Sequence, residues 1–108
     1  MIRVVKLWDE QGVPCGFCCN GHSGYAESGS DIICSAVSAL VINTMNSIEA
    51  FTDDICSCKQ EQKSGTIEFR IVSKPCKESL LLLDSLFLGL QGIEDEYGKR
   101  YLTISKEV

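Results

Sequence analysis

Residues 21–40 read GHSGYAESGSDIICSAVSAL, and the pattern of this stretch changes once within it. Up to Ser30 it is rich in glycine and serine, which is typical of a loop with considerable backbone freedom. From Asp31 onward the pattern is helical, and Ser30 or Asp31 is placed to cap the helix. One face of this helix carries an apolar stripe of Ile33, Val37, Leu40, Val41, Thr44 and Ile48. We therefore predict a loop that leads into a long helix.

Four other segments have the β-branched and aromatic composition of strands. The predicted strands are residues 2–7, 13–19, 66–73 and 101–105. A second helix is predicted over residues 74–97, and the polar residues 51–64 are predicted as the end of the first helix and a surface connection. The order ββαβαβ predicts one domain over residues 1–108. Its expected fold is an α/β (α+β) two-layer sandwich with a mixed sheet of about four strands and two helices.

Composition limits the class of protein. The chain has 108 residues, 44% of them hydrophobic and 23% charged, which is typical of an ordinary folded domain. The net charge is −5 and Lys and Arg are not clustered, so we expect no direct contact with nucleic acid. Residues 80–90, LLLLDSLFLGL, are too short to cross a bilayer, and the N-terminus lacks a signal-peptide pattern. Seven cysteines cannot all pair within the chain, so we expect reduced thiols, a cytoplasmic location and no membrane partner.

The second helix has two apolar stripes. The first consists of Leu80, Leu83, Phe87, Leu90 and Tyr97, and the second of Leu82, Leu86 and Ile93. One sheet buries only one such face of a helix, so a second partner is expected. We predict a homodimer contact on this helix, with deeper burial inside the monomer as the alternative.

Cys34 and His22 form the candidate catalytic pair. A sulfur near a helix N-terminus is stabilised as the thiolate by the unpaired N–H groups and the helix dipole. His22 is the only histidine in the chain, and the eight residues 23–30 are enough to bring the helix start back beside it. The alternative is that His22 is a polar turn residue and Cys34 a small apolar residue. Cys76 has the same helical position without a histidine near it in the sequence.

Two further residues lie near this pair. Asp31 is one turn before Cys34, where it caps the helix or orients the imidazole of His22 as a third catalytic member does, and we favour the cap. Ser38 is one turn after Cys34 and lines the site or fills the helix edge. No metal or cofactor is expected, because the cysteine spacings match no zinc motif and the glycines match no nucleotide loop.

The motif in residues 21–40 resembles the signature of the ribosomal-processing cysteine protease family, in which a G-H-x-G-Y-A loop precedes G-x-D-I-V-C-x-A-V-S-A-L. Departures are small: Ser23 and Ser35 stand where alanine is common, and Ile33 replaces valine. The flanking elements and the length agree with that family as well. The resemblance implies that Cys34 is the catalytic cysteine and His22 the catalytic histidine.

The resemblance also implies a function. It is the removal, by an endopeptidase, of the N-terminal extension of a large-subunit ribosomal protein precursor, after an aromatic residue. Asp31 and Ser38 fall on motif positions and are the possible supporting residues. The loop implied to admit the substrate peptide includes Gly21, Ser23, Gly24, Tyr25 and Gly29.

Two alternatives of different classes remain open at this point. One is a non-catalytic ribosome-assembly or peptide-binding module that holds a peptide with the same loop. The other is a thiol redox sensor, for which the surplus cysteines are a mild indication.

Overall fold

The computed structural model describes residues 1–21, 30–61 and 63–106, and it describes the side chains of these residues except at positions 30, 31 and 106. Within these ranges the elements follow the order ββαββαβ. They are β1 (Ile2–Trp8), β2 (Pro14–Asn20), α1 (Ser30–Phe51), β3 (Cys56–Glu61), β4 (Thr66–Ile71), α2 (Lys77–Tyr97) and β5 (Leu102–Lys106).

The strands form one mixed sheet in the order β3-β4-β2-β1-β5. Neighbouring strands are antiparallel except β1 and β5, which are parallel. Phe17 of β2 lies opposite Phe69 of β4, and their rings stack with centroids 5.4 Å apart. Both helices pack on the face of the sheet that carries these rings, in a single core cluster. The predicted two-layer α+β sandwich is therefore confirmed.

The helix α1 buries the stripe that the sequence predicts. Ile33, Val37, Val41, Thr44 and Ile48 are all buried, and Leu40 is half-buried at the edge of the stripe. Among the described helices, α1 is the one that is long and apolar enough to span a membrane by length and composition. Core helices of soluble proteins pass the same test, and α1 buries its apolar stripe in the core of this fold.

The strand β3 corrects the prediction for residues 51–64. A surface connection was expected there, but Cys56–Glu61 pairs with β4 as the fifth strand. β3 lies at the edge of the sheet, and its residues from Cys58 onward are exposed. Edge strands tolerate charged and polar side chains because neither face needs to be apolar throughout. The alternation that marks a half-buried strand is therefore missing from this sequence.

The helix α2 starts at Lys77, three residues later than predicted. Its N-terminus is held by Asp54, whose Oδ2 accepts hydrogen bonds from the backbone N–H of Cys76 (2.9 Å) and the hydroxyl of Ser79 (2.6 Å). Ser73 donates to Oδ1 of the same carboxylate (3.1 Å). Burial raises the pKa of Asp54, but these hydrogen bonds outweigh it and the pKa is lowered. One carboxylate thus ties the end of α1 to the start of α2.

Both predicted stripes of α2 are largely covered within the monomer. Leu83, Leu86 and Leu90 are buried, while Leu82, Phe87 and Ile93 pack half-buried against the core. The sheet and α1 together cover this broad surface, so the two stripes do not require a second chain. The most exposed apolar residues of α2 are Leu81 (67%) and Leu88 (77%), and Tyr97 at the end of the first stripe is exposed as well. The homodimer remains a prediction. If it forms through α2, Leu81 and Leu88 are the residues expected at the contact.

Candidate active site

Cys34 packs over the end of β2. It is half-buried and contacts the core cluster, of which Cys19 of β2 is a member. The two thiols are close enough for a charge on Cys34 to raise the pKa of Cys19. Cys19 is followed in the chain by Asn20, which ends β2, and then by Gly21 and His22. The fold therefore brings the predicted nucleophile to the end of the strand that leads to the predicted base.

Cys34 has one packed side and one open side. The buried Ile33 and Val37 flank it toward the sheet, while Ile32 and Ser35 are exposed. Cys34 therefore lies on the edge of the apolar stripe of α1. Cys34 is the fifth residue of α1, so it begins the second turn and does not lie in the first turn as predicted. The effect of a helix N-terminus falls off within the first turn, so it acts on Cys34 less strongly than the sequence predicts.

Cys19 is the residue that the sequence analysis missed. Its side chain is 1% exposed, and its pKa is raised to about 12, first by burial and then by the charges of Cys18 and Cys34. The thiol of Cys19 is therefore neutral near pH 7, so it places no negative charge beside Cys34. One sequence signal could have indicated that Cys19 is buried near the site. Cys19 alternates with Phe17 on one face of a predicted strand, and that strand ends just before His22.

Gly21 forms the exit from β2. Its φ is +90°, a conformation that residues with side chains rarely adopt, and a Cβ atom at this position would collide with the backbone carbonyl of Met1. The chain thus leaves β2 in close backbone contact with the residue that precedes β1. The family resemblance assigned Gly21 to the substrate loop, and the structure shows that its backbone also lies in close contact with Met1.

The other predicted site residues differ in what the structure describes. Ser38 is half-buried on α1, one turn after Cys34. The remaining ones lie outside the described residues or side chains, and they are His22, Ser23, Gly24, Tyr25, Gly29 and the side chain of Asp31. The described part of the site is therefore Cys34, Ser38, Cys19 and Gly21.

The remaining cysteines are spread over the fold. All seven lie in the described ranges as thiols, with no disulfide among them. Burial, followed by nearby carboxylates, raises the pKa of Cys18 and Cys56. In the described ranges, no group of three or more His, Cys, Asp or Glu side chains is arranged to hold a metal ion. Of these thiols, Cys34 is the one at the helix start beside the loop.

Comparison with known proteins now adds to this geometry. The sequence profile described as Cysteine protease Prp matches residues 1–102. The chain belongs to the Prp family. The ribosomal processing cysteine protease Prp of Staphylococcus aureus is 28% identical to it over 99 residues, which cover 92% of this chain and 93% of that protein.

Solved Prp structures have the same fold. An essential ribosomal processing protease Prp from S. aureus, in complex with a substrate peptide, has a TM-score of 0.89 at 25% identity, with 99% of this chain and 100% of that chain covered. The same protein with a covalently linked product peptide gives 0.85 at 26% identity, with the same coverage. A Streptococcus mutans protein also gives 0.85 at 25% identity, with 98% and 96% of the two chains covered. The resemblance seen in residues 21–40 therefore extends over the whole fold.

Proposed function

We propose that this protein is a cysteine endopeptidase that removes the N-terminal extension of a large-subunit ribosomal protein during ribosome maturation. The observation that carries the proposal is the position of Cys34, at the start of α1 and packed over the end of β2. Membership of the Prp family supports the reaction class, and the named relatives are ribosomal processing cysteine proteases.

The short sequence separation between Cys19 and His22 supports His22 as the base. His22 follows Cys19 by three residues, and three residues of extended chain span at most about 11 Å. Cys34 packs against the cluster that contains Cys19, so the proposed nucleophile lies at the end of the strand that leads to His22. We take Cys34 and His22 as the catalytic dyad, with the proton transfer made by the imidazole.

In the proposed reaction the thiolate of Cys34 attacks the carbonyl carbon of the scissile peptide bond. Backbone N–H groups near the start of α1 donate to the oxyanion that forms, for a contribution of about 3 kcal/mol. The C–N bond then breaks, protonated His22 gives its proton to the leaving amine, and an acyl thioester remains on Cys34. A water molecule that loses a proton to His22 attacks the thioester, which releases the acid and restores the thiolate.

Three described features suit Cys34 to this reaction. Its open side admits a peptide, its packed side fixes the sulfur, and the neutral thiol of Cys19 adds no opposing charge. In this proposal Ser38, which is half-buried one turn along α1, lines the site. Asp31 caps α1 or orients His22 in this proposal.

The substrate is proposed to be the N-terminal extension of a large-subunit ribosomal protein precursor in the cytoplasm, cleaved after an aromatic residue. The loop that includes Gly21 and Tyr25 admits it. Support comes from the family motif in residues 21–40 and from the names of the relatives.

A cleavage assay tests this proposal. The purified protein is incubated with the ribosomal precursor, and the products are read by mass spectrometry. We expect one cut after an aromatic residue, and loss of cutting in both Cys34→Ala and His22→Ala. Cys58→Ala is the matched control, because its exposed thiol lies on β3 near Met45, with 3.9 Å between the two sulfurs.

The same variants separate the alternatives. A non-catalytic assembly module predicts that Cys34→Ala keeps full function in cells and that no cut occurs. A redox sensor predicts reversible oxidation of Cys34 without peptide cleavage. Either result would contradict the protease proposal.

We also propose that the protein forms a homodimer through the outer surface of α2. Leu81 and Leu88 lie two turns apart on this helix, and both are well exposed. Substitution Leu88→Glu is expected to shift the sedimentation coefficient toward that of a monomer. Val72→Glu is the control, since Val72 is also exposed but lies beyond the end of β4. A wild-type protein that sediments as a monomer at every concentration would contradict the dimer.

A further inference from the structure

Cys34 begins a row of side chains along the surface of α1. Residues four apart on a helix follow one another on its surface, so Cys34, Ser38 and Ile42 form one row. Cys34 and Ser38 are half-buried, and Ile42 is 45% exposed. A single exposed isoleucine is ordinary on a protein surface. The row, however, places this one at a defined position, about two turns beyond the proposed nucleophile on the same helix.

The row lies on the side of α1 that faces the edge strand β3. Met45, three turns after Cys34, contacts this strand, with 3.9 Å between its sulfur and that of Cys58. The opposite side of α1 faces α2, where a Cβ atom added to Gly89 would lie 3.1 Å from Leu40. The sheet ends at β3. The two described helices therefore leave the row uncovered on the β3 side.

The spacing of the row matches the spacing of an extended peptide. A helix rises about 1.5 Å per residue, so Ser38 lies about 6 Å and Ile42 about 12 Å beyond Cys34 along the helix axis. Side chains on one side of an extended chain repeat at about 6.6 Å, so the second and fourth residues lie about 6.6 Å and about 13 Å along it. An extended peptide with its scissile carbonyl at Cys34 can therefore bring its second residue to Ser38 and its fourth to Ile42.

We infer that Ile42 is a specificity-determining residue, and this inference rests on the proposed function. The substrate peptide lies extended along the row, and the side chain four residues from the scissile bond packs on Ile42. The uncovered flank of α1 leaves room for such a chain, and the S. aureus protein of the same fold was solved with a substrate peptide. Because Ile42 offers an apolar surface, the substrates are peptides with an apolar residue at that position.

The test uses synthetic precursor peptides that differ at one position. Leucine and lysine are compared four residues before the cut and, in a second pair of peptides, four residues after it. The value of kcat/KM is measured for the wild type, Ile42→Glu and Ile55→Glu. Ile55 is the matched control, because it is also an exposed isoleucine (64%) but lies beyond the end of α1. The rate of Cys34 alkylation is measured in each protein to show whether the thiol itself is altered.

For the wild type we expect kcat/KM to favour leucine over lysine by about 10-fold at one of the two positions. In Ile42→Glu this ratio should fall below 1, because the apolar contact is lost and the carboxylate attracts the lysine. Ile55→Glu should keep the wild-type ratio, and the rate of Cys34 alkylation should be the same in all three proteins. A ratio that is equal in the wild type and Ile42→Glu at both positions would overturn the inference.

A second variant covers the case in which Ile42→Glu does not fold. Ile42→Ala trims an exposed side chain and introduces the best helix former. Its leucine-to-lysine ratio should lie between that of the wild type and 1, and an unchanged ratio would again overturn the inference. If Cys34→Ala still cleaves these peptides, the proposed function itself fails. Loss of cleavage in Cys34→Ala together with an unchanged ratio in the Ile42 variants refutes the role of Ile42 alone.

Discussion

The thiol of Cys19 makes the stability of the protein depend on alkaline pH. Its pKa is raised from 9.0 to about 12 in the folded state, first by burial and then by Cys18 and Cys34. The unfolded chain therefore loses this proton at a lower pH than the folded protein does. The stabilisation is complete below pH 9.0 and is lost progressively as the pH rises toward about 12.

The size of the effect follows from the two pKa values. Each pH unit between them lowers the free energy of unfolding by about 1.36 kcal/mol. Between about pH 8 and about pH 10, the loss comes almost entirely from the pH unit above 9.0. Cys19 therefore accounts for a loss of about 1.4 kcal/mol in the free energy of unfolding over this interval. At about pH 11 the loss reaches about 2.7 kcal/mol.

The assay is urea unfolding of the wild type and of Cys19→Ala at each pH, under reducing conditions. Removal of the buried sulfur lowers the free energy of unfolding by an amount that does not depend on pH. It also removes the pH dependence that this thiol contributes to the free energy of unfolding. The difference in unfolding free energy between the two proteins should therefore shrink by about 1.4 kcal/mol between about pH 8 and pH 10. A difference that stays constant with pH would refute the burial and charge coupling assigned to Cys19.

Further predictions concern the carboxylates of Asp54, which is half-buried, and Glu94, which is buried. Asp54→Ala removes the acceptor of three hydrogen bonds at the start of α2 and should cost about 2 kcal/mol in urea unfolding, while Asp53→Ala, at an exposed neighbour, should cost little. Hydrogen bonding lowers the pKa of Asp54 overall, so its contribution to stability should be present above pH 3.8 and be lost as the pH falls below that value. If the unfolding free energies of wild type and Asp54→Ala change equally with pH in acid, this expectation is contradicted. Glu94 is buried, and its Oε2 accepts the N–H of Ile104 at 3.0 Å, so Glu94→Ala should cost about 1–3 kcal/mol and speed amide exchange at Ile104. Glu94→Gln keeps an acceptor there and should exchange more slowly than Glu94→Ala, and identical exchange in the two variants would argue against this bond.

Much of the fold could be predicted from the sequence because its core elements have strong periodicity. The stripe of α1 and the alternation of Ile67, Phe69 and Ile71 in β4 both mark faces that the structure buries. The edge strand β3 could not be predicted in this way, because pairing with β4 alone leaves most of its side chains in solvent. The deeper burial of α2 within the monomer could be given only as an alternative to a dimer contact, since it depends on how closely α1 packs beside it.

The candidate site was predicted in part. Cys34 could be singled out by its helical position and by the motif around it. The alternation of Cys19 with Phe17 marks Cys19 as buried, but its proximity to Cys34 could not be predicted, because a strand pattern does not give the partner across the core. The constraint on Gly21 was also hidden, since it arises from Met1, which is close in space only because β1 and β2 pair.

The thioester on Cys34 is the most direct test of the proposed chemistry. The protein is mixed with the ribosomal precursor, quenched in acid within the first turnover, digested, and mapped by mass spectrometry. We predict that the N-terminal fragment of the precursor is attached to Cys34, and that the peptides containing the other six cysteines carry no such mass. Cleavage without any adduct on Cys34, or an adduct on a different thiol, would contradict the account.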